Sequence, residues 1–350
     1  MKEKMKVIFL RDLNDYDLEL VNVPECPKKG ILIKVLYCGL CGSDLRTIKF
    51  GHRNVKMPAV IGHEISGIVV ETGREYSGYF NNGDKIAVGP NIYCGKCEFC
   101  ISGEFQCCIN RRELAQHWQG GFAEYMAIPK EALTLGNIQL IPKGLDESYA
   151  TIAEPAASCI SAQEKLDIEL SDTVLIIGAG PIGCIHIALA KARGAKKVII
   201  ADVNEERLNM CRIFKPDIIL NVKKLDLVVE IKKITRGLGA DKIITANPAA
   251  ITQVQAVESS KRGGKIAFFG GLKHNDSRPN IDTNLIHYNS LTVIGTSSYG
   301  PIHFLNALEL INTGKIPADK IVTHVLDIKD FHKGVDYALG GKSLKVVFKL

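Results

Sequence analysis

Nowhere in this chain do 18 apolar residues run together. A helix that crosses a bilayer needs about that many, so no membrane span is expected. A concentrated basic stripe or tail is also missing. The net charge is only +6, from 44 Lys and Arg against 38 Asp and Glu. Nucleic-acid binding calls for clustered cations, so no such partner is expected. Internal repeats and low-complexity segments are absent, which sets aside repeat architectures. Near the start, the short apolar run Val7-Ile8-Phe9-Leu10 is followed at once by acidic residues, with no small-residue cleavage site. A first strand is expected there instead of a signal peptide, and with it a cytoplasmic location.

What the chain does have is material for two cores. It holds 350 residues, 46% hydrophobic and 23% charged. Domains hold roughly 100–200 residues, so two are expected. The 11 cysteines are an odd number in a chain without an export signal. In that setting clustered cysteines read as metal ligands before disulfides.

The first 150 residues are rich in glycine, valine and short alternating runs. Residues 31–36 and 66–71 read as strands, with Asn82-Gly83-Asp84 as a turn between such runs. This half is expected to be mainly β, a closed or partly closed barrel. The middle differs. Thr173-Val174-Leu175-Ile176-Ile177 is continuously apolar, as a strand buried on both faces requires. A glycine turn and a helix over 182–193 follow, then a strand over 197–201. Further strands are expected at 243–244, 266–269 and 292–294, with a helix over 249–260. Such alternation predicts a parallel α/β sheet. A helix near 303–312 and a strand over 345–349 complete the tail.

Cys94, Cys97 and Cys100 are separated by two residues each, and Cys108 follows after seven more. Two spacers between cysteines make a tight turn that aims both sulfurs at one point, and Gly95 eases it. Four thiolates converging at about 2.3 Å suit a tetrahedral zinc with no open position, which is a structural site. On spacing alone Cys107 competes with Cys108 for the fourth place. A second set begins with Cys41 in Cys41-Gly42-Ser43-Asp44 and continues with Gly62-His63-Glu64. A catalytic zinc takes three protein ligands and keeps one exchangeable position. Cys41 and His63 supply two candidates; Glu64, Glu154 and Cys159 compete for the third.

Gly178-Ala179-Gly180-Pro181-Ile182-Gly183 stands between an expected strand and an expected helix. In that context the motif is a dinucleotide-binding turn. Gly178 permits the tight turn, Gly180 lets the backbone approach a pyrophosphate, and Gly183 lets helix and strand pack closely. The helix start, from Pro181 and Ile182, offers free N–H groups to phosphates. Asp202 ends the next strand. A carboxylate there accepts bonds from the adenosine ribose and repels an extra 2′-phosphate, so NAD is the expected cofactor. Arg207 reads as an adenine-side contact or as a solvated helix residue.

Taken together, Cys41-Gly42-Ser43-Asp44, Gly62-His63-Glu64 with Gly67, Gly83-Asp84-Lys85, the four-cysteine lobe and Gly120-Gly121-Phe122-Ala123-Glu124-Tyr125 resemble the zinc-dependent medium-chain alcohol dehydrogenases along nearly the whole chain. The resemblance implies two zinc ions per chain. One is structural, on Cys94, Cys97, Cys100 and Cys108, and favours Cys108 over Cys107. The other is catalytic, with Cys41 and His63 as ligands and Glu64 beside the metal. Where many relatives carry a further cysteine, this chain has Glu154-Pro155, similar to the sorbitol (polyol) dehydrogenase branch. There the glutamate serves directly or through water. Gly270, in Phe269-Gly270-Gly271, and Thr296, in Gly295-Thr296-Ser297, are similar to the family's nicotinamide-side contacts.

The implied architecture is a two-domain α/β chain. A GroES-like β-barrel catalytic domain spans 1–155 and 297–350, with a structural zinc lobe at about 90–110, and a Rossmann doubly wound parallel sheet spans 156–296. Chemistry is then expected in the cleft between domains, in a homodimer or homotetramer. The implied reaction moves hydride between a secondary alcohol of a polyol or sugar alcohol and NAD, as in a sorbitol or L-iditol 2-dehydrogenase. The alternatives are a polyol-phosphate or L-threonine 3-dehydrogenase on the same frame, or a non-catalytic nucleotide-binding relative. Ser43 matches the family's hydroxyl relay position, unless it caps the helix that starts here. The relay's usual histidine is replaced by Arg46, which cannot lose its proton, leaving water or Glu64 as the exit. Arg46, Lys49, His52, Arg53 and Lys56 form either an ordinary solvated basic loop, the reading taken, or a phosphate-binding rim.

Overall fold

The computed structural model describes residues 3–135, 137–273 and 276–350, and they fall into two compact units. The first comprises Met1–Ala157, Ser298–Gly314 and Ala318–Leu350; the second comprises Ser158–Ser297 and Lys315–Pro317.

The first unit is built on a seven-stranded sheet. Its path runs Val322–Asp327, Lys345–Lys349, Ile31–Gly39, Glu64–Thr72, Lys85–Val88 and Ile138–Leu140, and Tyr125–Ile128 pairs with Ile31–Gly39. All these pairs are antiparallel except Val322–Asp327 with Lys345–Lys349. Ile31, Ile33 and Val35 are fully buried in this unit's core, and Leu32 between them is buried too, so this strand is covered on both faces near its start. Phe122, Phe331 and Phe348 meet there, two of the three contacts edge to face, an arrangement that suits the ring quadrupoles. The expected first strand spans Lys4–Asp12 and pairs with Asp15–Asn22 as a hairpin. The C-terminal strand is second from one edge of the sheet, between Val322–Asp327 and Ile31–Gly39. Residues 300 positions apart in sequence therefore meet beside the Glu64 end of Glu64–Thr72.

The second unit holds a six-stranded parallel sheet in the order Ile218–Asn221, Lys197–Asp202, Thr173–Ile177, Ala240–Thr245, Ser260–Phe268 and Thr292–Gly295. Chain order reverses between Thr173–Ile177 and Ala240–Thr245. That switch point is where ligands enter such sheets, at the carboxyl ends of the strands. Val174 to Ile176, Val198 to Ala201 and Ile243 to Ile244 are all fully buried, which is why these runs show no alternation. The expected helices appear as Pro181–Ala192 and Ala250–Ser259. One strand is longer than its apolar run. It starts at Ser260, not at 266, because Ser260 already pairs with Ala240 across a register shift. The added residues, Ser260 to Lys265, are polar or glycine, so hydrophobicity alone does not reveal them.

Candidate functional site

Cys41 stands immediately before the helix Gly42–Phe50, as its N-cap residue. Three residues on, Asp44 turns back: its Oδ2 accepts the Cys41 backbone N–H at 2.9 Å, and its Oδ1 lies 3.2 Å from His63 Nδ1. A carboxylate on Nδ1 holds the proton there and turns the Nε2 lone pair outward, the orientation a ligating imidazole needs. Ser43 Oγ is 3.3 Å from that Nε2. Ser43 therefore lies within the helix and faces His63, and it does not cap the helix. Burial opposes a proton on His63, but the charge and hydrogen bond of Asp44, with Cys41 behind them, raise its pKa well above the ordinary value.

The ligand atoms of Cys41, His63 and Glu64 all lie within 4.8 Å of one another. Glu64 is fully buried and both of its oxygens accept from Lys345 Nζ, at 2.7 and 2.8 Å. Lys345 also donates to the Leu40 carbonyl at 3.2 Å. Room for this carboxylate exists because residue 39 is glycine; a Cβ there would sit 2.2 Å from Glu64 Oε2. Glu154 lies in the first turn of the helix Ala153–Leu166, before Pro155. Burial pushes its carboxyl up to about 7, against the pull of His63 and with the push of Glu64. Among the described residues it is not within 4.8 Å of the Cys41, His63 and Glu64 ligand atoms as a member of that group. Cys159 is buried further along the same helix, in the second unit. Thiol, imidazole and carboxylate converging in this way form a donor set suited to zinc.

The four-cysteine lobe is assembled around Cys94, Cys97, Cys100 and Cys108, whose sulfurs also lie within 4.8 Å of one another. Gly95 takes φ +70° at the first turn. The Cys94 backbone N–H reaches Cys108 Sγ at 3.4 Å, and Cys97 and Cys100 sulfurs are 3.5 Å apart. Cys107 is exposed and outside the group. The Lys96 backbone N–H pulls the Cys94 thiol down to about 6, and that of Cys100 lowers Cys97, whereas burial drives Cys100 up to about 12. Four crowded sulfurs that cannot all ionise alone fit a soft divalent cation, which takes the place of the protons.

In the second unit the glycine turn is shaped by backbone contacts. Gly178 takes φ +122°, and a Cβ on Gly183 would lie 1.9 Å from the Gly178 carbonyl. Gly180 is different: nothing stands within 4 Å of where its Cβ would be. That opening faces the start of the helix Pro181–Ala192, whose first N–H groups lack intrahelical partners. Asp202 accepts the Ala179 N–H at 2.6 Å and the Asn204 N–H at 2.9 Å, so its carboxylate is fixed beside the turn. Arg207 donates its backbone N–H to Asn204 Oδ1, and its Nε is buried with no partner among the described residues. An open glycine cradle, a helix start, a fixed carboxylate and an arginine with a buried, unpartnered Nε suit a dinucleotide. Gly270 is glycine for a packing reason, since a Cβ would sit 2.2 Å from the Asn247 carbonyl. Thr296 Oγ1 donates to the Phe268 carbonyl at 3.4 Å.

Two residues of the metal neighbourhood carried no role in the sequence reading. Asp44 lay inside the quoted motif, and its spacing of three from Cys41 at a helix start is a legible capping signal. Lys345 had none; it was one polar position in a terminal strand. In the basic loop, Lys49 stacks over Phe50 at 5.4 Å. His52 is lowered by burial first, then held up by Glu113 and pushed down by Arg53, Arg46 and His117. Among the described residues no helix is long and apolar enough to cross a membrane.

Comparison with known proteins agrees with this chemistry. Residues 27–138 match the alcohol dehydrogenase GroES-like domain, and residues 181–313 match the zinc-binding dehydrogenase domain. A sorbitol dehydrogenase of Halalkalibacterium halodurans is 31% identical, covering 93% of this chain and 92% of its own. An L-threonine 3-dehydrogenase of Pyrococcus furiosus is 34% identical over the whole of both chains. The solved structure of a putative zinc-binding dehydrogenase from Sinorhizobium meliloti, bound to NADP, superposes with TM-score 0.90 at 27% identity over the whole of both chains. A GroES-like unit and a Rossmann unit with two metal-ligand clusters and a dinucleotide turn are thus joined in one chain, which belongs to the zinc-dependent medium-chain alcohol dehydrogenases, oxidoreductases of nicotinamide dinucleotides, in their sorbitol dehydrogenase-like branch.

Proposed function

We propose that this enzyme passes hydride between a secondary alcohol of a polyol or sugar alcohol and NAD. Cys41 and His63 hold the catalytic zinc, with Glu154 serving directly or through water and Glu64 beside the metal, and Cys94, Cys97, Cys100 and Cys108 hold the structural zinc. The observation that carries the reading is the convergence of Cys41, His63 and Glu64 within 4.8 Å, with the Ser43 hydroxyl 3.3 Å from His63 Nε2. When bound, the zinc acidifies the substrate hydroxyl and the nicotinamide ring accepts the hydride.

The remaining work falls to the chain's own residues. Asp44 fixes the His63 ring by holding Nδ1. Ser43 is the hydroxyl placed to take up the substrate's proton. Arg46 cannot carry the proton on, and both Glu64 oxygens are held by Lys345, so the proton leaves from Ser43 to water. Lys345 balances the Glu64 charge. Gly178, Gly180, Pro181, Ile182 and Gly183 cradle the pyrophosphate, and Asp202 with Arg207 selects the adenosine end. Gly270 and Thr296 flank the nicotinamide side. Support for NAD over NADP comes from Asp202, a fixed anion beside the turn, which disfavours a 2′-phosphate.

Support for the polyol class comes from Glu154 and from the sorbitol dehydrogenase relative. The threonine 3-dehydrogenase, similar along its full length, makes that amino acid the second substrate to examine. Initial rates with sorbitol and L-threonine, each with NAD and NADP, test the reading. Faster turnover of sorbitol with NAD is expected. Faster turnover of threonine overturns the polyol class, and equal or better efficiency with NADP overturns the role of Asp202.

A further inference from the structure

Two thiols outside the metal clusters are in contact. Cys184 Sγ lies 3.1 Å from Cys211 Sγ, and both residues are fully buried in the second unit. Cys184 follows Gly183 in the helix Pro181–Ala192, and Cys211 ends the helix Glu205–Cys211. A buried cysteine ordinarily serves as a small apolar side chain. Packing alone does not require two of them, 27 positions apart in sequence, to face each other. A disulfide is about 2.05 Å long, so about 1 Å of approach closes this pair.

The pair sits against the dinucleotide turn. Cys211 Sγ donates to the Ala179 carbonyl at 3.4 Å, which leaves the Cys184 proton as the one between the sulfurs. The Ala179 carbonyl and the Gly180 N–H belong to one planar peptide. The Cys211 bond therefore helps to fix the orientation of the Gly180 N–H, at the place where the backbone approaches a pyrophosphate. The Ala179 N–H donates to Asp202 Oδ2 at 2.6 Å, and Asp202 accepts the Asn204 N–H at 2.9 Å. Asn204 caps the helix that ends at Cys211. One short helix is thus tied to the turn at both ends, through Asp202 at its start and through the Cys211 thiol at its close.

We propose that Cys184 and Cys211 form a peroxide-sensitive dithiol whose oxidation to a disulfide weakens dinucleotide binding at the turn Gly178 to Gly183. The chemistry goes beyond hydride transfer and does not depend on which alcohol is the substrate. One sulfur attacks a peroxide oxygen and the O–O bond breaks, giving a sulfenic acid and one water. The other sulfur attacks the sulfenic sulfur, the S–O bond breaks, and the S–S bond forms with release of a second water. The two thiols lose two electrons and two protons, and hydrogen peroxide is reduced to two waters. Burial selects the oxidant, since a peroxide is little larger than water and glutathione disulfide is far too bulky to enter. Burial, with Cys211 beside it, also holds the Cys184 thiol well above its ordinary pKa. Thiolate is scarce, so the pair answers sustained peroxide and not a brief pulse. After oxidation Cys211 has no proton to give. The Ala179 carbonyl then loses this donor at a fully buried residue, and the peptide it shares with Gly180 turns away from the bound geometry.

The test treats the zinc-loaded enzyme with hydrogen peroxide, blocks the remaining thiols, maps the peptides by mass spectrometry and titrates the protein with NADH by calorimetry. The expected product is a peptide pair joined through Cys184 and Cys211, two hydrogen atoms lighter than the reduced pair, in protein that keeps its zinc. The Kd for NADH is expected to rise about fivefold or more and to return after dithiothreitol. Cys184→Ala removes the partner and leaves the Cys211 bond to Ala179. Its Kd is expected to stay at the reduced enzyme's value through the same treatment. Should that variant fold poorly, the peptide map and the Kd of the unaltered enzyme still decide. Free Cys184 and Cys211 at peroxide concentrations that already strip zinc from the four-cysteine lobe would overturn the proposal. So would overoxidation of either thiol without a crosslink. A crosslink that leaves the Kd unchanged overturns the tie to the turn, and an equal rise in Cys184→Ala places the effect elsewhere and overturns it too.

Discussion

Lys345 Nζ lies 2.7 and 2.8 Å from the two carboxylate oxygens of Glu64, and the two side chains are only 3% and 0% exposed. The pair joins the C-terminal strand to the strand that begins beside His63, across 281 residues of sequence. Burial lowers the lysine's proton affinity, yet Glu64 more than compensates and its pKa is raised.

Removing one partner leaves a buried charge unmatched, which costs about 3–5 kcal/mol. Lys345→Met is therefore expected to lower the unfolding midpoint strongly, and Glu64→Gln to do the same. The Glu64→Gln, Lys345→Met double variant should recover part of the loss, since neither charge remains. Urea denaturation of the four proteins checks this. Strict additivity of the single losses would contradict the coupling.

Metal content separates Cys107 from Cys108. Elemental analysis of the purified protein is expected to find two zinc ions per chain. Cys108→Ser should drop this to one and lower the melting temperature, because the lobe loses the site that holds it together. Cys107→Ser should keep both ions, as its thiol is exposed and outside the cluster. His63→Ala should also retain one ion, the lobe's, while losing turnover.

Two glycines of one turn should fail differently. Gly180→Val places its side chain where nothing stands within 4 Å, so the fold should persist while NADH affinity falls at least tenfold. Gly183→Ala puts a Cβ 1.9 Å from the Gly178 carbonyl, so stability should fall by a few kcal/mol, about what overpacking costs. Calorimetric binding and thermal melts of both variants measure this. A stable Gly183→Ala protein would contradict the packing.

Much of this was legible in the sequence for identifiable reasons. Buried parallel strands such as Val174 to Ile177 carry continuous apolar runs, and the glycine turn has a fixed spacing set by its own backbone contacts. The four cysteines are close in sequence, so their convergence follows from local turns. Lys345 was illegible because its partner is 281 residues away, and nothing local distinguishes it from Lys349. Strand starts such as Ser260 were missed because backbone pairing there does not require apolar side chains.

His186 provides a pH signature in the second unit. Burial pushes it down to about 3 from an ordinary 6.5. Gln163 Nε2 lies 3.2 Å from its Nδ1, and its Nε2 has no partner among the described residues. Below pH 6.5 the unfolded chain takes up a proton that the fold refuses, so stability is full above that pH and declines as the pH falls toward 3. The loss from this group between pH 7 and 5 is about 2 kcal/mol. His186→Leu should flatten that part of the profile in urea denaturation at the two pH values. An identical slope in both proteins would contradict the burial of a neutral imidazole.

The most direct measurement is transfer of deuterium from the carbinol carbon of a C-deuterated polyol into NAD, followed by mass spectrometry of the nucleotide. The enzyme carrying two zinc ions is expected to form deuterated NADH, and the His63→Ala enzyme, with only the lobe's ion, to form none. Formation of unlabelled NADH, or equal transfer by the His63→Ala enzyme, would contradict a zinc-dependent hydride transfer at Cys41 and His63.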